Sequence, residues 1–127
     1  MESIIELDGL IGKEVTQAFA LHDLEQGWLQ QVVFQVEDSY LVVKVNADTD
    51  EVILALLSEI DLQALEKQFS RTQISNQRKH ISYLWRMTNQ SGYEDGFQLE
   101  FDDIEGTNVQ LLAEASRLYL TIFQRYR

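Results

Sequence analysis

Cysteine and proline are both missing from this chain of 127 residues, and histidine occurs only twice. Without cysteine there is no disulfide, no thiol nucleophile and no thiolate metal ligand, a composition that suits a reducing cytoplasm, the location expected here. Average usage would supply roughly six prolines, so the turns have to be built from Gly, Asn, Asp and Ser instead. His22 and His80 have no second imidazole near them in sequence, which leaves a zinc cage unsupported. A lone histidine on the polar face of a strand is ordinarily a surface residue. Long apolar runs are also missing: residues 52–57 form the longest, far below the roughly 20 residues that cross a bilayer. The opening residues lack the basic start and unbroken apolar stretch of a secretory signal, so no membrane association is expected.

Positive charge is scarce. Ten Lys and Arg stand against 21 Asp and Glu, for a net charge of −11. By segment the charge is −11 over residues 1–61, +4 over 62–93 and −4 over the remainder. Phosphate binding needs clustered cations, so nucleic acid is not an expected partner; a basic protein is. The run Gly9-Leu10-Ile11-Gly12-Lys13-Glu14 has the wrong glycine spacing for a phosphate loop and no Ser or Thr after the lysine to hold magnesium. Asp48-Thr49-Asp50-Glu51 and Asp102-Asp103-Ile104-Glu105 are rich in carboxylates, yet neither fits a twelve-residue calcium loop, and both read as solvated turns. No catalytic residue, metal ligand or cofactor is assigned.

What the chain has is alternation. A hydrophobic content of 45% and a charged content of 24% are ordinary for a globular protein, and the length suits one domain over 1–127 with a single core. Val15, Gln17, Phe19 and Leu21 alternate with Thr16, Ala18, Ala20 and His22 as in a half-buried strand, and residues 23–27 supply a turn. Trp28, Val32, Phe34 and Val36 mark one face of a second strand; Leu41, Val43 and Val45 mark a third. Residues 52–57, apolar on both faces, suit a covered central strand. The period then changes: Ile60, Ala64, Leu65 and Phe69 recur at helical spacing behind Ser58 or Asp61 as cap, predicting one helix over 58–70, followed by a polar connecting loop over 71–79. Residues 4–10 fit either a helical turn or an edge segment.

The first pattern then returns. Lys13, Val15, Phe19 and Leu21 have counterparts in Lys79, Ile81, Trp85 and Met87, which predicts two halves, about 12–57 and 79–125, joined by a helical connection over about 58–78. Residues 109–126 admit two assignments. Leu111, Leu112, Ala115, Leu118, Ile122 and Tyr126 fall at helical spacing, while 118–123 is rich in strand formers; two strands broken near Ser116 is the reading adopted. The expected fold is therefore α+β and mainly β: an antiparallel meander, read as a doubled four-strand unit, with one connecting helix.

The densest signal lies at 88–101. Asn89, Gly92, Asp95 and Gly96 are residues that tolerate positive φ, and Phe97, Leu99 and Phe101 put three large groups on one face, so this stretch reads as the turn and return arm of a hairpin that leaves along 80–87. The run Leu84-Trp85, Thr88-Asn89-Gln90, Gly92-Tyr93, Asp95-Gly96 and Gln98-Leu99-Glu100-Phe101 resembles a small bacterial domain family of unknown function, with a weaker likeness at 109–116 and at Gly12-Lys13. The resemblance implies a small, mainly β fold and no assigned reaction, and it transfers no functional residues.

Trp85, Asn89, Tyr93 and Asp95 are the candidate binding residues, since two aromatics, an amide and a carboxylate on one loop suit recognition. The same residues also serve as a staple, with Asn89 and Asp95 bonding the turn backbone and Tyr93 packed on Trp85. Three functions follow: a non-enzymatic interaction or accessory protein that presents an acidic surface to a basic partner, as toxin-immunity proteins do; a small-ligand binder with a pocket between the sheet and the helical connection; and an enzyme using carboxylates alone.

Overall fold

In a computed structural model that describes residues 7–125, the chain is mainly β with a single α-helix. Leu7–Leu10 is a short 3₁₀ turn; residues 4–6 of the expected first segment, and Tyr126, lie outside the described residues. Four strands follow as a meander: β1 (Glu14–Asp23), β2 (Leu29–Val36), β3 (Ser39–Asn46) and β4 (Glu51–Leu57). After helix α1 (Leu62–Gln68) and strand β5 (Phe69–Ser75) comes a second meander, β6 (Lys79–Thr88), β7 (Glu94–Phe101), β8 (Thr107–Glu114) and β9 (Arg117–Gln124). The order across the sheet is β4-β3-β2-β1-β6-β7-β8-β9, all antiparallel, with β5 on the same edge of β1 that β6 uses.

That sharing shapes the molecule. β6 pairs with β1 only at Glu14 and Val15, and β5 takes over from Ala18 to Asp23. The two meanders therefore diverge from a short seam and close over one core, in which Val32, Phe34, Leu41 and Val43 from the first meet Phe97, Leu99, Val109 and Leu111 from the second. A register shift between Val15 and Gln17 changes which face β1 presents, so Ala18 and Ala20 enter this core while Phe19 and Leu21 point the other way. β1 is consequently buried on both faces, where simple alternation predicts one. On the outer side Phe19, Leu21, Val33 and Val42 are covered by Ile60, Leu62, Leu65 and Phe69, which is how α1 buries its apolar side.

Three expectations need correction. The helix stops at Gln68 because Phe69 is already extended (φ −135°, ψ 154°), and its cap is Asp61, whose Oδ1 accepts from the Ala64 amide at 3.1 Å. The expected polar loop over 71–79 is largely strand: the free edge of β1 supplies backbone donors and acceptors, and ladder pairing tolerates the polar side chains of β5. Residues 52–57 form an edge strand rather than a central one, because the chain leaves for α1 instead of pairing again. Val52 and Leu54 face the inter-sheet core, Ala55 packs towards the helix cluster, and Leu56 and Leu57 stay exposed.

Residues 109–123 are two strands, with Ala115 and Ser116 as the two turn residues between Glu114 and Arg117. Both have positive φ, 53° and 65°, the geometry of a hairpin turn usually given to Asn-Gly. Tertiary bonds hold the strained turn in place: the Ser116 amide donates to Asp50 Oδ1 at 2.8 Å and its Oγ to the Ala47 carbonyl at 3.0 Å. Ala115→Gly should thus stabilise the domain by about 1 kcal/mol, by removing a Cβ that the left-handed region penalises, and a shift of the urea midpoint to higher concentration would register it.

Candidate functional site

The alternation that sends Phe97, Leu99, Val109 and Leu111 inward sends their neighbours to the outer face of β6–β9. Strand register arranges that face in three rows: Tyr83, Glu100, Asn108 and Phe123; Trp85, Gln98, Gln110 and Thr121; Met87, Gly96, Leu112 and Tyr119. The corresponding side of the first meander is the one under α1. No element of the described chain covers the second in that way: Tyr83 is 55% exposed and Trp85 37%, with Leu112, Tyr119 and Phe123 exposed as well.

Polar side chains fill the middle of the face and bond one another. Gln110 Nε2 donates to Gln98 Oε1 at 3.2 Å, Gln98 Nε2 to Asn108 Oδ1 at 2.8 Å, and Asn108 Nδ2 to both Glu100 Oε1 at 3.1 Å and the Gly106 carbonyl at 2.9 Å. Arg125 and the Ser82 hydroxyl complete the set on Glu100, at 3.2 and 3.3 Å. Asn108 is only 1% exposed and Glu100 is buried too. Burial pushes the Glu100 carboxyl up, but the bonds from Asn108, Arg125 and Ser82 outweigh it and hold the group below its ordinary value. Beside this ladder the Tyr83 and Trp85 rings stack, centroids 5.6 Å apart and planes 22° from parallel.

The four residues expected from sequence separate. Trp85 lies on the face, but its ring partner is Tyr83 rather than Tyr93. Asn89 and Tyr93 belong to the β6–β7 turn, where Asn89 Oδ1 accepts from the amides of Ser91 and Tyr93 at 2.9 and 3.1 Å; the staple is therefore Asn89. Tyr93 is half exposed, and Asp95 sits within β7. Of the four residues able to tolerate positive φ, Gly92 adopts it, at 86°. Gly96 serves the face differently: a Cβ there would come within 2.8 Å of Met87 and 2.9 Å of Leu112, so its absence lets those side chains close over the strand. Tyr83, Glu100, Asn108 and Phe123 were not picked out from sequence. The available signal was the alternation of Gln98 and Glu100 with Leu99, and of Asn108 and Gln110 with Val109, which places four amide or carboxylate groups on one face once the strands are paired.

The acidic turn after β7 is held by its own bonds. Asp103 accepts from the Thr107 amide at 2.7 Å, the Thr107 hydroxyl at 2.5 Å and Lys79 Nζ at 2.9 Å, and Asp102 accepts from the His80 amide at 3.0 Å. Burial raises the Asp103 carboxyl, yet those donors bring it down from 3.8 to about 2. A carboxylate lowered in the folded state contributes stability above its unfolded value near pH 4, and that contribution disappears as pH falls towards 2. Between pH 5 and pH 2 the wild type should lose on the order of 1–2 kcal/mol through Asp103, a loss that acid titration of Asp103→Asn should lack. Among the described residues no three His, Asp or Glu side chains gather where they could hold a metal ion.

A family model described as a family of unknown function (DUF6334) matches residues 1–127, and the chain belongs to that family. No curated protein and no solved structure matches it.

Proposed function

We propose that this member of a family without an assigned function is a non-enzymatic interaction domain, acting in the cytoplasm, that docks a basic protein on the outer face of β6–β9. The observation that carries the reading is the contrast between the two outer faces: the first is buried under α1, while the second, with the Tyr83–Trp85 stack beside its polar ladder, is exposed. Exposed aromatics around satisfied polar groups have the composition of a protein-binding centre. A catalytic reading is less well supported, since Glu100 is held ionised and spends its oxygens on Asn108, Arg125 and Ser82, which makes it a poor base.

Charge selects the partner. Arg71, Arg78, Lys79, Arg86 and Arg125 are paired with Glu66, Glu14, Asp103, Glu94 and Glu100, which leaves a large surplus of carboxylates in a chain of net charge −11. The rings of Phe19, Trp28, Phe101 and Tyr119 each carry a cation of this chain 4.8 to 5.7 Å from the centroid. Among the described residues the Tyr83–Trp85 stack carries none, and a partner's arginine fits it by stacking as well as by charge. Neutralising a basic protein in this way is the role an immunity protein performs. The test is co-purification from the source organism's lysate at low salt with wild type and with a Tyr83→Ala, Trp85→Ala double variant in parallel. The expected result is one basic protein retained by wild type, released by high salt and not retained by the variant; equal retention by both would overturn the assignment of the face.

A further inference from the structure

The seam that joins the two meanders also leaves them open. Where β1 passes from β6 to β5, the sheets part into a cleft of about 330 Å³ whose accessible apolar surface comes mainly from Ile74 on the first side and Ile122 on the second, with the buried rings and side chains of Phe34, Phe101 and Val109 beneath them. That volume lies in the range of small-molecule sites, and the pairing of an apolar floor with a polar rim is their usual composition. Ile122 on β9 is half exposed although its strand neighbour across the ladder, Val109, is buried, so the cleft holds apolar surface that the fold itself leaves in contact with water.

The rim decides what kind of molecule fits. Its cation, Lys79, is already committed to Asp103 at 2.9 Å and lies 5.7 Å from the centroid of the Phe101 ring. Asp103 is likewise satisfied by Lys79 and Thr107. Glu105 differs, since its hydrogen-bond partner is the neutral amide of Gln124 and, among the described residues, no cation forms an ion pair with it. An exposed carboxylate at the mouth of an apolar cleft, in a chain of net charge −11, attracts a cationic head and repels an anionic one. We propose that this cleft binds a small organic amine with an aromatic or branched apolar body, the body between Ile74 and Ile122 and the ammonium group beside Glu105. The site is separate from the outer face of β6–β9, and binding at one does not require the other.

The probes are phenethylamine and its anionic and neutral counterparts, phenylacetate and phenylethanol, titrated into the protein labelled at isoleucine methyl groups. Phenethylamine should shift the Ile74 and Ile122 methyl resonances saturably and bind at least about threefold more tightly than phenylacetate, as expected for one screened charge. Ile122→Trp fills the cleft from a half-exposed position and should abolish the shifts at Ile74. Glu105→Gln should weaken phenethylamine while leaving phenylethanol unchanged. Unmoved methyl groups at Ile74 and Ile122, equal binding of amine and carboxylate, or binding that survives Ile122→Trp would each overturn the proposal.

Discussion

Replacing Asn108 with alanine should lower the melting temperature by on the order of 10 °C, more than any other polar substitution on this face. The side chain is 1% exposed and serves three partners: it donates to Glu100 and to the Gly106 carbonyl and accepts from Gln98. Truncation leaves the buried Glu100 carboxylate one donor short and the Gln98 amide unpaired beside a new void, while the Gly106 carbonyl keeps the Arg125 backbone amide as its donor. Leaving buried polar groups unsatisfied costs about 1–3 kcal/mol each, and partial relaxation brings the expected total to roughly 2–4 kcal/mol. Gln110→Ala is the control, because Gln110 ends the ladder with a single donor bond to Gln98 and is partly solvated; its cost should stay below about 1 kcal/mol. Thermal melts of the two variants side by side measure the difference, and equal melting temperatures would mean that the ladder is not a cooperative network.

The second large effect concerns binding rather than stability. Tyr83→Ala with Trp85→Ala should weaken the interaction with a basic partner by about 1,000-fold, since aromatic residues at the centre of an interface each contribute roughly 2 kcal/mol on truncation and every ~1.4 kcal/mol is tenfold. Both rings are substantially exposed and stack mainly on each other, so the fold should lose little. Isothermal titration with the partner, together with a melt of the same sample, separates the two outcomes. A variant that binds as well as wild type would remove these rings from the interface. One that simply unfolds would mark them as core.

Where the sequence could be read, the signal came from one face of a strand meeting a core. Phe97, Leu99 and Phe101, or Leu41 and Val43, alternate because one side is buried, and such strands were placed correctly, as was the break near Ser116. β5 escaped because its pairing uses backbone groups, while Ser70, Arg71, Thr72 and Gln73 are exposed and look like a loop. Residues 52–57 misled for the opposite reason: apolar side chains on both faces of β4 answer to the core on one side and the helix cluster on the other, without a strand beyond. Phe69 belongs to the helix pattern by spacing but caps α1 from an extended conformation.

The candidate site divides the same way. Trp85 could be found as a large aromatic on a strand beside a polar turn. Its neighbours Tyr83, Glu100 and Asn108 could not, because the ladder exists only once three strands are aligned, and the register of β7 on β8 is set by a turn whose geometry depends on bonds from β6, those of Lys79 to Asp103 and of the His80 amide to Asp102. Gln98 and Glu100 read as ordinary solvent-facing positions until Asn108 is placed opposite Glu100 and within reach of both.

If the Tyr83–Trp85 stack meets a cationic partner, Trp85 reports on it directly once the other tryptophan is removed by Trp28→Phe. Titrating that variant with a short arginine-rich peptide should quench Trp85 emission saturably, less so as salt is raised, and more strongly than a lysine-rich peptide of equal charge, because a planar guanidinium stacks on the indole where an ammonium does not. Trp85 emission that stays unchanged while the peptide binds elsewhere on the acidic surface would contradict it.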